Sequence, residues 1–386
     1  MRKTLLLAII ILSVLLTGCK EGNKPSSDDF ILVDVNATYP EKELVLQEFA
    51  DVEYVALDNT DEFITQGVVK AVGKKILLVT NRRNDGNIFV FDRTGKGLRK
   101  VNRLGQSGEE YSHPTEIILD EQGEEMFVVD YPARKINVYD LFGIFKRSFP
   151  FADSGYYMEM FDYDRDHLMG YKSYLPSVET EQSCYILVSK HDGSVVREIQ
   201  IPFQGIETPV VMEGETSVTP QFYLTVPQRA GWLLAKPSSD TIYNYRSDGS
   251  LRPFAVRTPS IHGRNHPAVF LFPAALSADR YYFMQTMRKE VDFVTMKGFP
   301  TTDLVYDKQE NALFECTVCN GDFSNKRPVP LASKPLNREI ATYQTLHAPD
   351  LVEAYEKGRL KGKLKEIAAG LNEESNPVVM LVSVRK

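Results

Sequence analysis

The sequence predicts an all-β fold, a six-bladed β-propeller, from three observations. A strand–turn–strand unit recurs along the chain, a further β-type run precedes each copy, and one more strand lies near each end. Alternating apolar residues followed by Asp and Gly are typical of hairpins, because glycine adopts positive φ at little steric cost. A repeat of roughly 45–60 residues with several strands per copy is typical of propellers rather than solenoids.

The repeated unit occurs in five copies, and each copy with its preceding run predicts one blade. The copies are Asn87–Gly95, Lys135–Gly143, Tyr185–Gly193, Thr241–Gly249 and Thr302–Glu310. The last of these lacks the glycine that ends the other four. The preceding runs are Lys75–Thr80, Glu125–Asp130, His167–Tyr171, Gly231–Ala235 and Arg280–Thr286.

The sixth blade is predicted from the two ends of the chain. Pro377–Val384 is a β-type run near the C-terminus, and Val52–Leu57 is one near the N-terminus. Pairing both in one blade closes the ring and removes exposed sheet edges.

A C-terminal amphipathic helix is predicted within residues 350–373, inserted in this closing blade. Leu360, Leu364, Ile367 and Leu371 recur at helical spacing, so one face of the helix is apolar. Pro349 is placed to start the helix. The apolar stripe is suited to docking a partner or to packing beside the closing blade, and packing is favoured because amphipathic helices usually bury their stripe within their own fold.

The first residues predict an export signal. Arg2 and Lys3 are followed by the apolar run Leu5–Leu16, which is too short for a membrane span of about 20 residues. The ending Leu16-Thr17-Gly18-Cys19 resembles the bacterial lipoprotein signal. That resemblance implies cleavage before Cys19, acylation of its sulfur, and a lipid anchor in the bacterial outer membrane, with the protein periplasmic or surface-exposed.

The chain is therefore divided into a signal peptide (1–18), the acylated cysteine with a flexible tether (19–29) and the propeller (30–386). The tether is polar, and it is interpreted either as a plain linker or as a sorting signal for surface display.

The formal net charge is −7, and it becomes −9 once Arg2 and Lys3 are removed with the leader. An acidic surface argues against nucleic acid or anionic lipid as partners of a basic face.

One segment resembles a full NHL-type propeller repeat. Its matching residues are Gly105, Gly108, Tyr111, Pro114, Ile117, Asp120, Gly123, Val128, Val129, Asp130, Arg134, Ile136, Val138, Tyr139, Asp140 and Gly143. More narrowly, the chain resembles the six-bladed propeller lipoproteins of Bacteroidetes through Val52–Leu57, Gly105–Tyr111 and Asn376–Leu381. The resemblance implies the fold and no single activity.

Aromatic residues crowd one stretch and give the main candidate ligand-binding residues. These are Tyr156, Tyr157, Tyr171 and Tyr174, with Arg165 nearby. A tyrosine ring offers a flat apolar face with a polar tip, which suits stacking on sugars or packing against peptides. Ordinary blade packing is the competing interpretation, because strands favour tyrosine in any case.

Two polar motifs are candidate contacts. His262 and His266 are four residues apart, but the Gly, Asn and Pro between and after them disfavour a helix, so they are predicted as ligand contacts from a loop and not as metal ligands. Asp162, Asp164 and Asp166 alternate like the start of a calcium loop but lack its later residues, and a solvated turn is predicted.

The cysteines predict no metal site. Cys184, Cys316 and Cys319 remain after Cys19 is assigned to lipid, which is too few for a disulfide framework. Cys316 and Cys319 face opposite sides of a strand, so two small residues in or beside an outer strand are predicted. A disulfide across the turn at Asn320-Gly321 is the alternative.

The function predicted from these features is that of an envelope-anchored binding module for a glycan, a peptide or a partner envelope protein. The alternative is a metal-dependent propeller enzyme of the lyase or lactonase type, and a purely structural envelope subunit is a third hypothesis. The sequence offers no catalytic constellation, no cofactor motif and no metal site, so binding is favoured over catalysis.

Overall fold

The computed structural model describes residues 30–152, 154–174, 180–263 and 267–385, and they form a six-bladed β-propeller. The blades are sheets arranged in a ring around a central channel, and the inner strands of most neighbouring blades contact each other. The predicted fold class is thus confirmed. No helix within these residues is long and apolar enough to cross a membrane. The predicted signal peptide, Cys19 and the tether lie outside the described residues.

Blades I to III are four-stranded antiparallel sheets whose strands follow one another from the channel outward. Blade I contains Val68–Val72, Ile76–Thr80, Asn87–Asp92 and Gly97–Asn102. Blade II contains Pro114–Asp120, Glu125–Asp130, Lys135–Asp140 and Phe145–Pro150. Blade III contains Tyr156–Asp162, His167–Ser173, Cys184–Ser189 and Val195–Ile199.

Blades IV and V each carry an additional outer strand from the N-terminal segment. Blade IV contains Thr225–Gln228, Gly231–Leu234, Thr241–Tyr245 and Leu251–Thr258, with Ile31–Asp34 added in parallel. Blade V contains Val269–Ser277, Tyr281–Arg288, Thr301–Asp307 and Ala312–Asn320, with Glu41–Val45 added in parallel. The short strand Arg327–Pro328 also pairs with the fourth strand of blade V.

Blade VI joins the two ends of the described chain, as predicted. It contains Ile340–Leu346, Val378–Val384 and Ala50–Ala56. Val52 pairs with Val382 and Ala56 pairs with Val378, so a strand near the C-terminus is held by one near the N-terminus.

An irregular segment takes the innermost position of blade VI. The Leu336 amide donates to the Ala341 carbonyl at 3.1 Å, and the Thr342 hydroxyl donates to the Lys334 carbonyl at 2.9 Å. These bonds place residues 334–336 antiparallel to Ile340–Leu346, on its channel side.

Short helices and hairpins occupy the connections. The helices are Leu46–Phe49, Ala348–Glu356 and Gly362–Ala368, with a 3₁₀ turn at Asp61–Phe63. The hairpins are Val211–Glu213 with Thr216–Val218, and Val291–Asp292 with Lys297–Gly298.

Two helices, Ala348–Glu356 and Gly362–Ala368, are therefore present where one C-terminal helix was predicted. They are separated around Gly358 and Gly362, whose positive φ values of 63° and 52° end and restart the helical path. Leu360 and Leu364 are buried in the core shared with the closing blade.

The glycine that ends four copies of the repeat has a packing role. Gly95 and Gly143 lie in the turns between third and fourth strands, with φ of 92° and 81°. A Cβ at Gly143 would meet the Val101 side chain on the outer strand of blade I. The glycine thus lets each turn pack tightly against the preceding blade.

Candidate functional site

Three inner strands each carry a charged residue in the interior of a mostly apolar run. These residues are Lys70 in blade I, Glu116 in blade II and Glu159 in blade III. The pairing register shifts at Lys70, beside Glu116 and at Glu159, so each strand bulges at or next to its charge. Glu159 takes a φ of 48°, which is uncommon for a residue with a side chain. Bulges redirect side chains and are frequent beside functional sites.

Each of these side chains reaches the inner strand of the next blade. Lys70 Nζ donates to the Thr115 carbonyl at 2.9 Å, and Glu116 Oε2 accepts from the Met160 amide at 2.6 Å. Glu159 accepts from the amides of Leu224 at 3.0 Å and Thr225 at 2.8 Å. The charges are therefore fixed on the channel wall by backbone groups.

The ionisation of Glu159 and Lys70 is shifted toward neutral pH. Burial raises the pKa of Glu159 to about 7, and the Glu116 charge adds to the rise while the two amides oppose it. Burial lowers the pKa of Lys70 to about 8, helped by the charge of Lys334 and opposed by that of Glu116. A carboxyl and an amine that both titrate near pH 7 are typical of functional sites.

Blades IV and VI contribute hydroxyls and a second amine. Burial raises the pKa of Tyr223 to about 12, and the nearby charges of Glu159 and Glu116 act in the same direction. Burial also raises the pKa of Tyr343 on the blade VI strand. Both tyrosines are therefore neutral hydroxyl groups at physiological pH. Lys334, on the irregular inner segment, acts electrostatically on Lys70.

These six residues, from five blades, are called the channel mouth. They are Lys70, Glu116, Glu159, Tyr223, Lys334 and Tyr343.

Two cavities of different character adjoin the channel mouth. A cavity of about 200 Å³ beside Lys70 is basic and polar, lined by Arg82, Arg83, Asn84 and His113 among others. A cavity of about 140 Å³ beside Glu159 is mainly apolar, and its lining includes Met158, Pro220, Phe222 and Leu224.

Two hairpins rise on the face where the inner strands begin. The Val211–Glu213 hairpin lies in the connection into blade IV, and the Val291–Asp292 hairpin follows the end of the second strand of blade V. The two hairpins expose Met212 at 68%, Val294 at 94% and Met296 at 61%. Lys289 and Glu207 form a salt bridge of 2.6 Å that joins the two connections. Exposed apolar tips beside a polar centre are typical of surfaces that bind proteins.

An arginine lies near aromatic rings at the other end of the channel. Arg338 lies in the turn after the irregular inner segment of blade VI, and its guanidinium is 5.2 Å from the Trp232 ring and 5.8 Å from the Tyr163 ring. These rings belong to blades IV and III. Arg338 thus reaches from blade VI toward blades III and IV.

One predicted residue lies close to the channel mouth. The half-buried Tyr156 stacks on Tyr131 at 4.6 Å, and the Arg134 guanidinium is 4.6 Å from its ring centre. The charge of Glu116 acts on Tyr131, which connects this stack to the site.

Two of the predicted tyrosines are buried in blade packing. Tyr157 is 1% exposed and stacks on Phe151 at 4.4 Å, and Tyr171 is 3% exposed against Tyr185. Tyr171 also contributes to the lining of the apolar cavity. Burial favours the packing interpretation for both.

The remaining predicted residues are spread over the two faces. Tyr174 is half-buried, with Lys172 Nζ 5.5 Å from its ring, and the half-buried His262 has Nε2 2.9 Å from the Ser238 carbonyl. Arg165 is exposed in the turn at the far end of blade III. His266 lies outside the described residues.

The acidic motif and the two neighbouring cysteines of blade V have structural roles. Asp164 accepts from the His167 amide at 2.8 Å within its own turn, and Asp162 forms a salt bridge of 2.6 Å with buried Lys190. Cys316 and Cys319 are free thiols on the fourth strand of blade V, so the alternative of a disulfide is wrong. Across the described ranges, no three His, Cys, Asp or Glu side chains are grouped to hold a metal ion.

The sequence interpretation missed the charged residues of the inner strands. A signal was present, because Val68-Val-Lys-Ala-Val72 and Tyr156-Tyr-Met-Glu-Met-Phe161 each place one charge inside an apolar run. A charged side chain inside a buried strand lowers stability unless it is paired or hydrogen-bonded, so such a residue is a candidate for a functional role.

A family model matches residues 30–383 and is described as "Domain of unknown function (DUF4934)". Among solved structures, a Bacteroides fragilis protein described as a candidate exported protein is similar, with 13% identity, a TM-score of 0.53, and coverage of 90% of this chain and 99% of that one. A DUF4221 family member from Bacteroides vulgatus has 8% identity, a TM-score of 0.47, and coverage of 88% and 99%. The former likeness supports the fold alone. No curated protein matches the sequence.

Proposed function

The chain belongs to the DUF4934 family, and on that premise we propose that it is an envelope-anchored binding module that holds a peptide segment, free or part of a partner envelope protein, at the channel mouth. The observation that carries the proposal is that the channel mouth contains both Lys70, which lines a basic cavity, and Glu159, which lines an apolar cavity.

The ligand class follows from this chemistry. A peptide offers a carboxylate for Lys70, an amine for Glu159, an apolar side chain for the cavity beside Glu159, and amides for the hydroxyls of Tyr223 and Tyr343. The exposed tips of the two hairpins suit the rest of a protein partner. A glycan is favoured less, because the ring of Tyr156 is already stacked on Tyr131.

The titration of the two charged groups gives the binding a pH signature. Glu159 is a carboxylate above about pH 7, and Lys70 is a cation below about pH 8. A ligand carrying both charges therefore binds best between these values. We expect affinity to fall on the acidic side as Glu159 is protonated and on the alkaline side as Lys70 loses its proton.

Peptide binding is tested by panning a random dodecapeptide library against residues 20–386 and measuring the enriched peptides by fluorescence anisotropy. Lys70→Met is expected to weaken binding by about tenfold or more and to remove the alkaline decline. Glu159→Gln is expected to remove the acidic decline. Arg165→Gln, on the opposite face, is the matched control and leaves affinity unchanged. Affinity that is indifferent to Lys70→Met and Glu159→Gln, or enrichment on a glycan array alone, contradicts the proposal.

The location is proposed from the sequence around Cys19, with support from the exported description of the Bacteroides fragilis relative. We expect the chain expressed in a bacterial host to enter the membrane fraction and to incorporate labelled palmitate. Cys19→Ser is expected to abolish both, whereas Cys184→Ala, at a buried thiol, retains them. A mature Cys19→Ser protein that remains lipid-labelled would exclude this anchor.

A further inference from the structure

We propose that the cleft between blades IV and V is a second binding site, for an acidic glycan. The cleft has a volume of about 1420 Å³ and lies on the outer part of the ring, away from the channel mouth. It is called the IV–V cleft. Its lining includes Leu32, Arg252, Phe254, Tyr282 and Lys308.

The IV–V cleft is present where the repeat loses its glycine. In blades I to IV, the turn after the third strand contains Gly95, Gly143, Gly193 or Gly249, and each packs on the preceding blade. The equivalent turn of blade V, Asp307–Ala312, has none, and Asn311 takes the positive φ of 49° instead. Lys308, Asn311 and Ala312 of this turn line the cleft. The turn thus leaves a gap against blade IV.

The N-terminal segment deepens this gap. Ile31–Asp34 extends the outer edge of blade IV, and Glu41–Val45 extends that of blade V. The segment between them crosses from one blade to the other. The Val35 amide donates to the Thr258 carbonyl at 2.9 Å, and the Glu315 amide donates to the Pro40 carbonyl at 3.0 Å. These bonds fix the separation of the walls.

The cationic groups of the cleft outnumber its free anions. Arg246, Arg252 and Lys308 are exposed in the lining, and none of them has a salt bridge within the described ranges. The acidic lining residue, Asp34, accepts from the Asn36 amide at 3.0 Å. Asp248 adds one exposed carboxylate near both arginines.

The acids on the blade V turn are already paired. Asp307 is bound by Arg280 and Lys42, and Glu310 by the same two residues. The positive charge of Lys308 is therefore left for a ligand.

Aromatic rings supply flat surfaces between the cations. The rings of Phe254 and Tyr282 meet edge to face at 4.8 Å, and Lys308 Nζ lies 4.3 Å from the Tyr282 ring. Tyr306 lies beside them, with its hydroxyl bonded to Asn311. Rings half-buried in a cleft stack on sugars, and guanidinium groups pair with carboxylates.

A sugar polymer bearing carboxylates matches both features. Nucleic acid also combines negative charge with planar rings, but its binding relies on an extended basic surface. The overall charge of −7 disfavours a long polyanion away from this cleft. A short acidic segment enclosed by the two blades is therefore the favoured occupant.

The proposal is tested by affinity electrophoresis of residues 20–386 in gels containing polygalacturonate, with its fully methyl-esterified form as the neutral probe. We expect retardation by the acid polymer only, weakened by added salt. Arg252→Gln with Lys308→Gln is expected to reduce affinity by roughly tenfold or more. Lys96→Gln, at an exposed lysine near the equivalent turn of blade I, leaves it unchanged.

A second variant separates stacking from charge. Tyr282→Leu keeps apolar volume but removes the flat ring, and weaker binding to polygalacturonate is expected with unfolding midpoints unchanged. Equal retardation by the esterified polymer, or full binding by the Arg252→Gln and Lys308→Gln protein, would overturn the proposal. Equally strong retention by an oligo(dT) gel would overturn it in favour of a general polyanion site. Lys70→Met is expected to leave polygalacturonate binding intact, so the test of the IV–V cleft is independent of the test of the channel mouth.

Discussion

Replacing Trp232 with alanine is expected to lower the free energy of unfolding by about 3–5 kcal/mol. Trp232 is 1% exposed and is the sole tryptophan of the chain. It packs edge to face on Phe161 at 5.6 Å and lies 5.7 Å from Tyr163, both in blade III. Its removal leaves a cavity at the junction of blades III and IV and takes away one ring beneath Arg338.

The measurement is guanidinium unfolding followed by circular dichroism, because the variant has no tryptophan fluorescence. Trp232→Phe keeps part of the aromatic packing and is expected to lower the free energy of unfolding by less than Trp232→Ala does. Val294→Ala, at a 94% exposed tip, is the surface control and stays within about 0.5 kcal/mol of the natural protein. A loss below about 1 kcal/mol for Trp232→Ala would show that neighbouring side chains refill the space.

Replacing Gly95 with alanine is the second large expected effect, a loss of about 2–4 kcal/mol. Gly95 has a φ of 92°, and an added Cβ would overlap the carbonyl oxygen of Ala56. Ala56 cannot retreat freely, because it is paired with Val378 in the closing blade. Strain and overlap therefore act together at the contact between blades VI and I.

The matched control is Gly108→Ala, where no atom lies within 4 Å of the added Cβ. It is expected to be neutral in thermal and chemical unfolding. Limited proteolysis adds a local measure, and Gly95→Ala is expected to speed cleavage near Asn59. Equal stability of the two variants would contradict the packing role assigned to the turn glycine.

The blades could be predicted from the sequence because their signals are local. Alternation at period two and the Asp-Gly turns are present in each copy, so five blades follow directly from the repeat. The sixth follows from ring closure, and the pairing of Val52 with Val382 confirms it. Residues 334–336 gave no such signal, because an irregular inner segment is held by only a few hydrogen bonds.

The channel mouth could be predicted less well, since it depends on contacts between blades. Lys70 and Glu159 are far apart in sequence, and only the ring places both at the channel mouth, where each lines its own cavity. The tyrosine cluster was ambiguous for a related reason. Tyr156 and Tyr157 are neighbours, but successive residues of a strand point to opposite faces, so one lies toward the mouth and the other in the core.

The pairing of Ala50–Ala56 with Val378–Val384 also determines when the ring can close during folding. During synthesis, the early strand has no partner on this edge until Val378–Val384 has been made. Closing so long a loop is entropically costly and slows folding, and an unpaired edge invites aggregation meanwhile. In this protein, the ring is therefore closed only once Val378–Val384 has paired with the early strand.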